Sequence, residues 1–288
     1  MRTDAIAAEL TQARTKGPLR EIQIPPCPEL LARLRAAMAL REPDLSEVQA
    51  VASSDVAMGA TLLRVANSPV HLGDGAPCVS VGQAMTRLGL MHTVSLMSSF
   101  LVRHALPVKS PHLQRFWERS HKRSVAMEFL AQRIPGMHAA LASSHGLFCH
   151  VGMPVMLQQV RGYGATLVEA GARIDRPFVA TEDANHRCNH AVVGALTVRA
   201  WGLPAVLMAS VRLHHDFSVL GDAGVESEVQ GLVATGLLAD HLMRRHEGLS
   251  PDADWQQQGE RVLDWLQLSA TDLQEWGDLL EPLLDEVF

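Results

Sequence analysis

Histidines close to other metal-binding residue types are the first candidates for chemistry in this chain of 288 residues, which contains 14 of them. Four groups stand out: Cys149-His150, His186 with Cys188 and His190, His214-His215-Asp216, and Asp240-His241. Imidazole, thiolate and carboxylate groups are the usual ligands of zinc and other transition metals. A metal centre is therefore the first chemistry to test against the spacing of these groups.

The spacing does not match a zinc finger or an HExxH site. His186, Cys188 and His190 would all face one side only in an extended segment, whereas in a helix only the two histidines share a face. His214 and His215 are adjacent, so on a helix they point about 100° apart and at most one faces a shared site. Helix-end or surface histidines bonded to backbone or water explain each group more simply. We therefore predict no metal and no other cofactor.

Other sequence features exclude several classes of protein. The chain has no GxSxG segment of a serine hydrolase and neither of the glycine-rich phosphate loops, GxxxxGK[ST] and GxGxxG. Its 25 basic and 31 acidic residues give a formal charge of −6, which disfavours broad electrostatic binding to nucleic acid. We expect no nucleic-acid partner.

The sequence also predicts a cytoplasmic location. Residues 1–17 mix acidic and basic side chains and lack the apolar core of a signal peptide. No segment approaches the roughly 18 uninterrupted apolar residues that span a bilayer, so we expect no membrane association. The four cysteines are scattered without a CxxC pair, which is typical of a reducing compartment.

Helix signals dominate the chain, and the period-two alternation typical of strands is nearly absent. Capping pairs occur at Asp44 with Glu47, Ser80 with Gln83, and Thr271 with Gln274. The helices predicted after residue 90 cover approximately 91–107, 111–134, 138–149, 190–201, 204–215, 227–246 and two parts of 258–288. Residues 68–79 are predicted to be a loop, and 161–189 a loop or mobile cover. The fold class is therefore all-α.

Several short segments of the chain form an ordered series of motifs. They are Ile24–Leu30, Ser53–Ala57, Leu62–Ser68, Ser80–Ala84, Thr86–Leu90, Phe116-Trp117, Gly146–Phe148, His190 with Val193–Leu196, Trp201–Pro204, and His214–Asp216. In this order and at these spacings they resemble the HDOD family, a branch related to the HD-domain phosphohydrolases. The resemblance covers approximately residues 20–245.

The resemblance implies an all-helical fold in which an N-terminal helical lobe, 20–107, packs on an HD-like lobe, 108–248. A helical extension, 1–19, and a helical tail, 249–288, complete the chain, and the tail tryptophans are expected to pack on the parent lobe. The family also implies a regulatory role in bacterial signal transduction. The implied partners are signalling proteins such as a sensor kinase, a response regulator or a cyclic-nucleotide enzyme, and dimerisation is left open.

The resemblance further locates positions where an active HD enzyme holds its metals, namely a histidine, a His-Asp pair and a distal aspartate. Arg119 stands at the position of the first histidine, and a guanidinium has no lone pair for a metal. Cys149-His150 replaces the His-Asp pair, so the bridging carboxylate is missing. The remaining positions of this kind hold His190, His214 and Asp240. We therefore expect no catalytic residues.

Three functions remain open at this point. The leading hypothesis is a non-catalytic regulatory module that binds a signalling protein. The second is a divergent metal-dependent phosphohydrolase whose weak candidate ligands are Cys149, His150, His190 and His214. The third is a nucleotide sensor that binds an anion, without cleaving it, in a remnant pocket formed by Arg119, Cys149, His150, His190, His214 and Asp240.

Overall fold

The computed structural model describes residues 3–15, 17–73, 75–108, 110–113 and 115–285. Within these ranges the regular elements are helices, and no strand occurs. The all-α prediction is confirmed. Residues 26–107 form one compact unit, and residues up to 25 together with 108–284 form another.

Helices follow one another along the described chain. In order they are α1 (Thr3–Ala13), α2 (Glu29–Met38), α3 (Leu45–Ser53), α4 (Val56–Ala66), α5 (Pro69–Leu72), α6 (Val81–Leu88), α7 (Leu90–Ala105), α8 (Phe116–Ala131), α9 (Ala139–Phe148), α10 (Gly152–Gln159), α11 (Tyr163–Ala172), α12 (Phe178–His186), α13 (His190–Ala200), α14 (Ala205–Leu213), α15 (Ser227–His246), α16 (Ala253–Leu266) and α17 (Ala270–Asp285). Helices α2–α7 belong to the unit of residues 26–107, which we call the N-terminal unit. We call the other the C-terminal unit.

Side-chain caps fix where two of the predicted helices begin. The Asp44 carboxylate accepts the backbone N–H groups of Ser46 and Glu47, both at 3.1 Å, at the start of α3. Ser80 and Gln83 form a reciprocal capping box at the start of α6. These bonds satisfy donors that the first turn of a helix leaves unpaired, and both predicted starts are confirmed.

Residues 161–189 differ from the prediction, because most of them form α11 and α12 rather than a loop or mobile cover. The two helices pack against each other. The hydroxyl of Tyr163 donates to Glu182, and Asn185 donates to Thr166 at 3.1 Å. Hydrogen bonds between polar side chains therefore help to hold the two helices together, and the apolar periodicity of the sequence does not reveal such bonds.

Two further helix starts differ from the prediction. The helix expected to open at Pro111 begins at Phe116, after a 3-10 turn at Pro111–Leu113. The cap of α17 is Ser269, which exchanges hydrogen bonds with Asp272 at 2.8 and 3.1 Å, and not Thr271. A serine two residues earlier with an aspartate at the third position provides the same capping chemistry.

The core of the C-terminal unit lies between helices that contact in pairs. Helix α8 packs on α9 and α15, α10 packs on α13, and α13 packs on α14. Trp255 and Trp276 of the C-terminal helices pack against the buried cluster formed by α8 and α15. These contacts place the ends of α9, α13 and α14 in one region.

The contact between α10 and α13 is close enough for two backbones to meet. A Cβ atom added to Gly152 would overlap the carbonyl oxygen of His190 and lie 2.7 Å from the backbone nitrogen of Gly194. Glycine at this position is therefore a packing requirement. The same approach brings His150, two residues before Gly152, towards His190.

Among the described residues, one helical stretch is long and apolar enough to cross a membrane. It covers 139–159, with a mean hydropathy of 1.2, and 67% of the tested window is buried within the protein. It consists of α9 and α10, which pack in the core of the C-terminal unit. A buried core helix of a soluble protein passes the same test, so this stretch is weak evidence for a span.

Replacing Gly152 with alanine should destabilise the C-terminal unit, since the added methyl would meet backbone atoms that cannot rotate away. Overpacking of this kind costs about 1–3 kcal/mol or more. Gly171→Ala in α11 is the matched control, because its new Cβ would meet nothing within 4 Å. We expect that control to be neutral or stabilising by up to ~1 kcal/mol. Urea denaturation measures both, and equal stabilities would contradict the close approach.

Candidate functional site

Four histidines of the C-terminal unit meet at one point, and we call them the histidine cluster: His150, His190, His214 and His215. One ring nitrogen from each lies within 4.8 Å of the others. Nε2 of His190 is 3.1 Å from Nε2 of His214 and 3.3 Å from Nε2 of His215. Nitrogens bound tetrahedrally to zinc at 2.0–2.1 Å lie about 3.3–3.4 Å apart. Three of the rings therefore have the spacing of metal ligands.

Helix ends position all four rings. His150 lies between α9 and α10, His190 is the first residue of α13, and His214 and His215 follow the last residue of α14, Leu213. The prediction that at most one of His214 and His215 faces a shared site was wrong. It assumed helical geometry, but the helix ends before both residues, so both rings turn towards the cluster.

Hydrogen bonds at the opposite ring nitrogen, Nδ1, fix the orientation of three rings. The acceptors are Glu182 for His190 (2.7 Å), the Val211 carbonyl for His214 (2.7 Å) and Asp254 for His215 (2.5 Å). Carboxylates and carbonyls only accept, so Nδ1 donates in all three rings, and a neutral ring keeps its lone pair on Nε2. Nitrogens that face one another at 3.1–3.3 Å repel unless a proton or a metal ion lies between them. This is the arrangement of metal-ligating histidines.

Two carboxylates stand directly behind the rings. Glu182 is fully buried and also accepts the backbone N–H of His190 at 3.3 Å and the Tyr163 hydroxyl. Burial alone would raise the pKa of Glu182, but His190 and the hydrogen bonds from His190 and Tyr163 bring that pKa below its ordinary value. The second carboxylate, Asp254, is 11% exposed. The two carboxylates supply negative charge beside the imidazole rings, which carry none of their own.

The protonation of the cluster suits a metal. Burial and nearby positive groups hold the pKa of His150 and His214 well below the ordinary value, and burial also lowers the pKa of His190. Burial would lower the pKa of His215 too, but its bond to Asp254 leaves that pKa raised. At least three rings are thus neutral at physiological pH, which is the form that binds metals.

Cys149, predicted as a weak candidate ligand, lies outside the cluster although it adjoins His150. Its thiol points to the Gly146 carbonyl oxygen at 3.8 Å, and burial raises its pKa to about 12. Metals bind the thiolate, which this environment disfavours. The structure places His215, and not Cys149, together with His150, His190 and His214.

A cavity of about 700 Å³ opens beside the cluster. Of the six predicted pocket residues, the cavity is lined by Arg119, Cys149, His150, His214 and Asp240. His190 is in the cluster but is not among the lining residues. The lining also includes His215, Arg123, His145, Arg244, Glu247 and Asp254, none of which was assigned to the pocket from sequence.

Asp240 is occupied by a neighbouring guanidinium. Its Oδ1 accepts a hydrogen bond from Nε of Arg123 at 2.7 Å and forms an ion pair with Nη2 of the same side chain, also at 2.7 Å. Burial would lower the pKa of Arg123, but Asp240 holds that pKa above its usual range. Asp240 therefore neutralises a buried cation rather than facing the histidine cluster.

A family model for the HDOD domain matches residues 24–217 of the chain. An uncharacterized protein of Treponema pallidum (strain Nichols) is 25% identical over 230 residues, which cover 79% of this chain and 44% of that protein. The chain thus spans less than half the length of this curated relative.

Three crystal structures show the same fold, each at 19% identity. A protein of Marinobacter aquaeolei VT8, described as a candidate signal transduction protein, has a TM-score of 0.75 over 99% of this chain and 64% of its own. An HDOD domain protein of unknown function from Geobacter sulfurreducens has a TM-score of 0.71, with coverages of 98% and 99%. A candidate phosphohydrolase of Shewanella amazonensis SB2B has 0.70, with 97% and 95%.

The family match covers well over half of the chain and includes all four clustered histidines. It confirms the resemblance seen in the ordered motifs from Ile24 to Asp216. The chain belongs to the HDOD domain family, an all-helical family related to the HD-domain phosphohydrolases.

Proposed function

We propose that this HDOD domain is a regulatory signalling module that acts by binding, and that one transition-metal ion in the histidine cluster organises its binding cavity. The observation that carries the proposal is the convergence of three Nε2 atoms, with His190 at 3.1 Å from His214 and 3.3 Å from His215. Imidazole ligands favour zinc, copper, iron or nickel over magnesium and calcium. The earlier expectation of no metal is therefore replaced, and that of no catalysis is kept.

The ligand set supports one ion and not two. Metal pairs that displace a leaving group act as a clamp about 3.5–4 Å across, which a carboxylate bridges in the HD enzymes that this family resembles. His150 stands at the position expected for that carboxylate, and one imidazole cannot bridge two metals through a single lone pair. With His150 as the fourth ligand, four imidazoles would hold one ion, which is the number of protein ligands in structural zinc sites.

Two groups beside the cluster are poorly suited to acid–base chemistry. Asp240 is held by a hydrogen bond and an ion pair from Arg123, and the Cys149 thiol has its pKa raised to about 12. A general base must be available near the operating pH. The cavity therefore favours binding over turnover.

The wider role follows from the family. We propose a cytoplasmic protein whose partner is another signalling protein, such as a sensor kinase, a response regulator or a cyclic-nucleotide enzyme. A metal that joins the ends of α9, α13 and α14 would couple the shape of the cavity to the packing of those helices. Binding of the partner would then depend on the shape of the cavity.

Protein purified without chelator should contain about one zinc or other transition-metal ion per chain, and His190→Ala should lose it. His145→Ala is the matched control, because His145 is equally buried but its Nδ1 lies 2.9 Å from the Ser210 hydroxyl, outside the cluster. Elemental analysis of the folded variants is the measurement. Equal metal content in His190→Ala and His145→Ala would refute the site.

Glu182→Gln should weaken metal binding about 10–100-fold, the usual effect of losing a partner that orients a ligating histidine. The substitution removes the buried negative charge and leaves the size of the side chain nearly unchanged. A chelator competition titration gives the affinity. Glu169→Gln, on the exposed face of α11, is the control and should leave the affinity unchanged.

The competing function is a mononuclear phosphohydrolase, which gains support because His150, His214 and His215 line the open cavity. If the four imidazoles close the coordination shell, metal-loaded protein should hydrolyse bis(4-nitrophenyl) phosphate and cyclic dinucleotides no faster than buffer does. Turnover that follows metal loading and disappears in His190→Ala would establish the hydrolase instead.

A further inference from the structure

The cavity holds a carboxylate that makes two long ion pairs and accepts no hydrogen bond from the described residues. Glu247 follows α15, and its side chain is only 7% exposed. Its Oε1 is buried and accepts no hydrogen bond from the described residues. The nearest cations are Nη2 of Arg115, 3.6 Å from Oε1, and Nη1 of Arg119, 3.5 Å from Oε2. Both distances are beyond a good hydrogen bond.

The position of Glu247 at the end of α15 also makes its burial unfavourable. The C-terminal end of a helix carries a partial negative charge, so a carboxylate there is unfavourable. A buried acceptor without a donor is unfavourable as well. Both penalties fall when a ligand supplies hydrogen-bond donors to the two carboxylate oxygens.

Arg119 is the complementary donor beside Glu247. Its guanidinium has five N–H groups, and among the described residues none of them makes a hydrogen bond shorter than the 3.5 Å contact with Glu247. Two other arginines of the cavity are occupied, Arg123 by Asp240 and Arg244 by the carbonyl oxygen of Ser250 at 2.6 and 2.8 Å. Arg119 thus offers donors next to two unfilled acceptors.

From Arg119 to Glu247, the cavity therefore presents one hydrogen-bond donor followed by two acceptors. We propose that Arg119 and Glu247 bind the base-pairing edge of guanine, and that the ligand of the cavity is a guanine nucleotide. Guanine presents O6, N1–H and the N2 amino group in a row, so O6 accepts from Arg119 while N1–H and N2–H donate to the Glu247 carboxylate. This inference rests on the binding role proposed above.

The alternatives to guanine match less well. Adenine has a lone pair at N1 where guanine has N1–H, so it would face the carboxylate with an acceptor. Hypoxanthine lacks the N2 amino group and leaves one oxygen of Glu247 unfilled. The volume of about 700 Å³ and the apolar side chains of Phe116, Phe178 and Leu249 suit a nucleotide-sized ligand with a flat ring.

Calorimetric titration of the full chain with GMP, IMP and AMP tests the inference. GMP should bind, IMP should bind about tenfold or more weakly because one charge-assisted hydrogen bond is lost, and AMP should be weaker still. Absence of GMP binding at millimolar concentration would overturn the proposal, as would equal affinities for the three nucleotides.

Glu247→Gln provides the residue-specific test. An amide replaces one acceptor with a donor, so GMP affinity should fall at least tenfold and the preference for GMP over IMP should disappear. Glu169→Gln is the matched control, since Glu169 lies on the exposed face of α11 and is not among the residues that line the cavity. Its GMP affinity should stay within about twofold of wild type. If Glu247→Gln fails to fold, the nucleotide ranking of the wild type decides.

Metal analysis of the same samples separates this inference from the proposed metal centre. A chain with one bound metal that ignores GMP overturns the guanine site and leaves the metal centre standing. A folded chain without metal that still ranks GMP above IMP and AMP supports the guanine site and counts against the metal centre.

Discussion

The convergence of three imidazole Nε2 atoms is the constraint on which the site depends. The acceptors Glu182, Val211 and Asp254 each require a proton on the far nitrogen of one ring, and the helix ends then point the near nitrogens at one another. Without a cation, the fold would hold this contact at a cost that packing elsewhere must offset. The four imidazoles would hold the proposed metal ion, and its positive charge would remove the repulsion between the facing nitrogens.

Charge explains why this site differs from that of a hydrolase. Four neutral imidazoles leave the full charge of a divalent ion uncompensated, and Glu182 and Asp254 supply the compensation from behind the ligands. In an active HD enzyme a carboxylate would sit among the ligands and face the substrate. Moving the negative charge behind the rings leaves His150 on the open side, so an anionic ligand meets no carboxylate at the metal.

The fold could be predicted well from sequence, and the site only in part. Caps at Asp44 and Ser80 are local signals, since the chain needs only three or four neighbouring residues to form them. The role of Glu182 is not local in the same way, because it depends on α12 packing beside His190. Asp254 lies 39 residues from His215 and meets it only through α16. His215 was misjudged because the end of α14 was placed two residues too late.

The position of Arg119 links the two proposals. In the HD enzymes that this family resembles, a histidine on this helix takes part in metal binding; an arginine there instead offers donors. The change removes one ligand of a second metal and at the same time gives the cavity a cation beside Glu247. The arginine therefore has two consequences. A second metal loses a ligand, and the cavity gains a polar group for binding the edge of a nucleobase. With the proposed metal bound, the converging histidines would hold the wall of the cavity in place, and Arg119 and Glu247 would select the ligand.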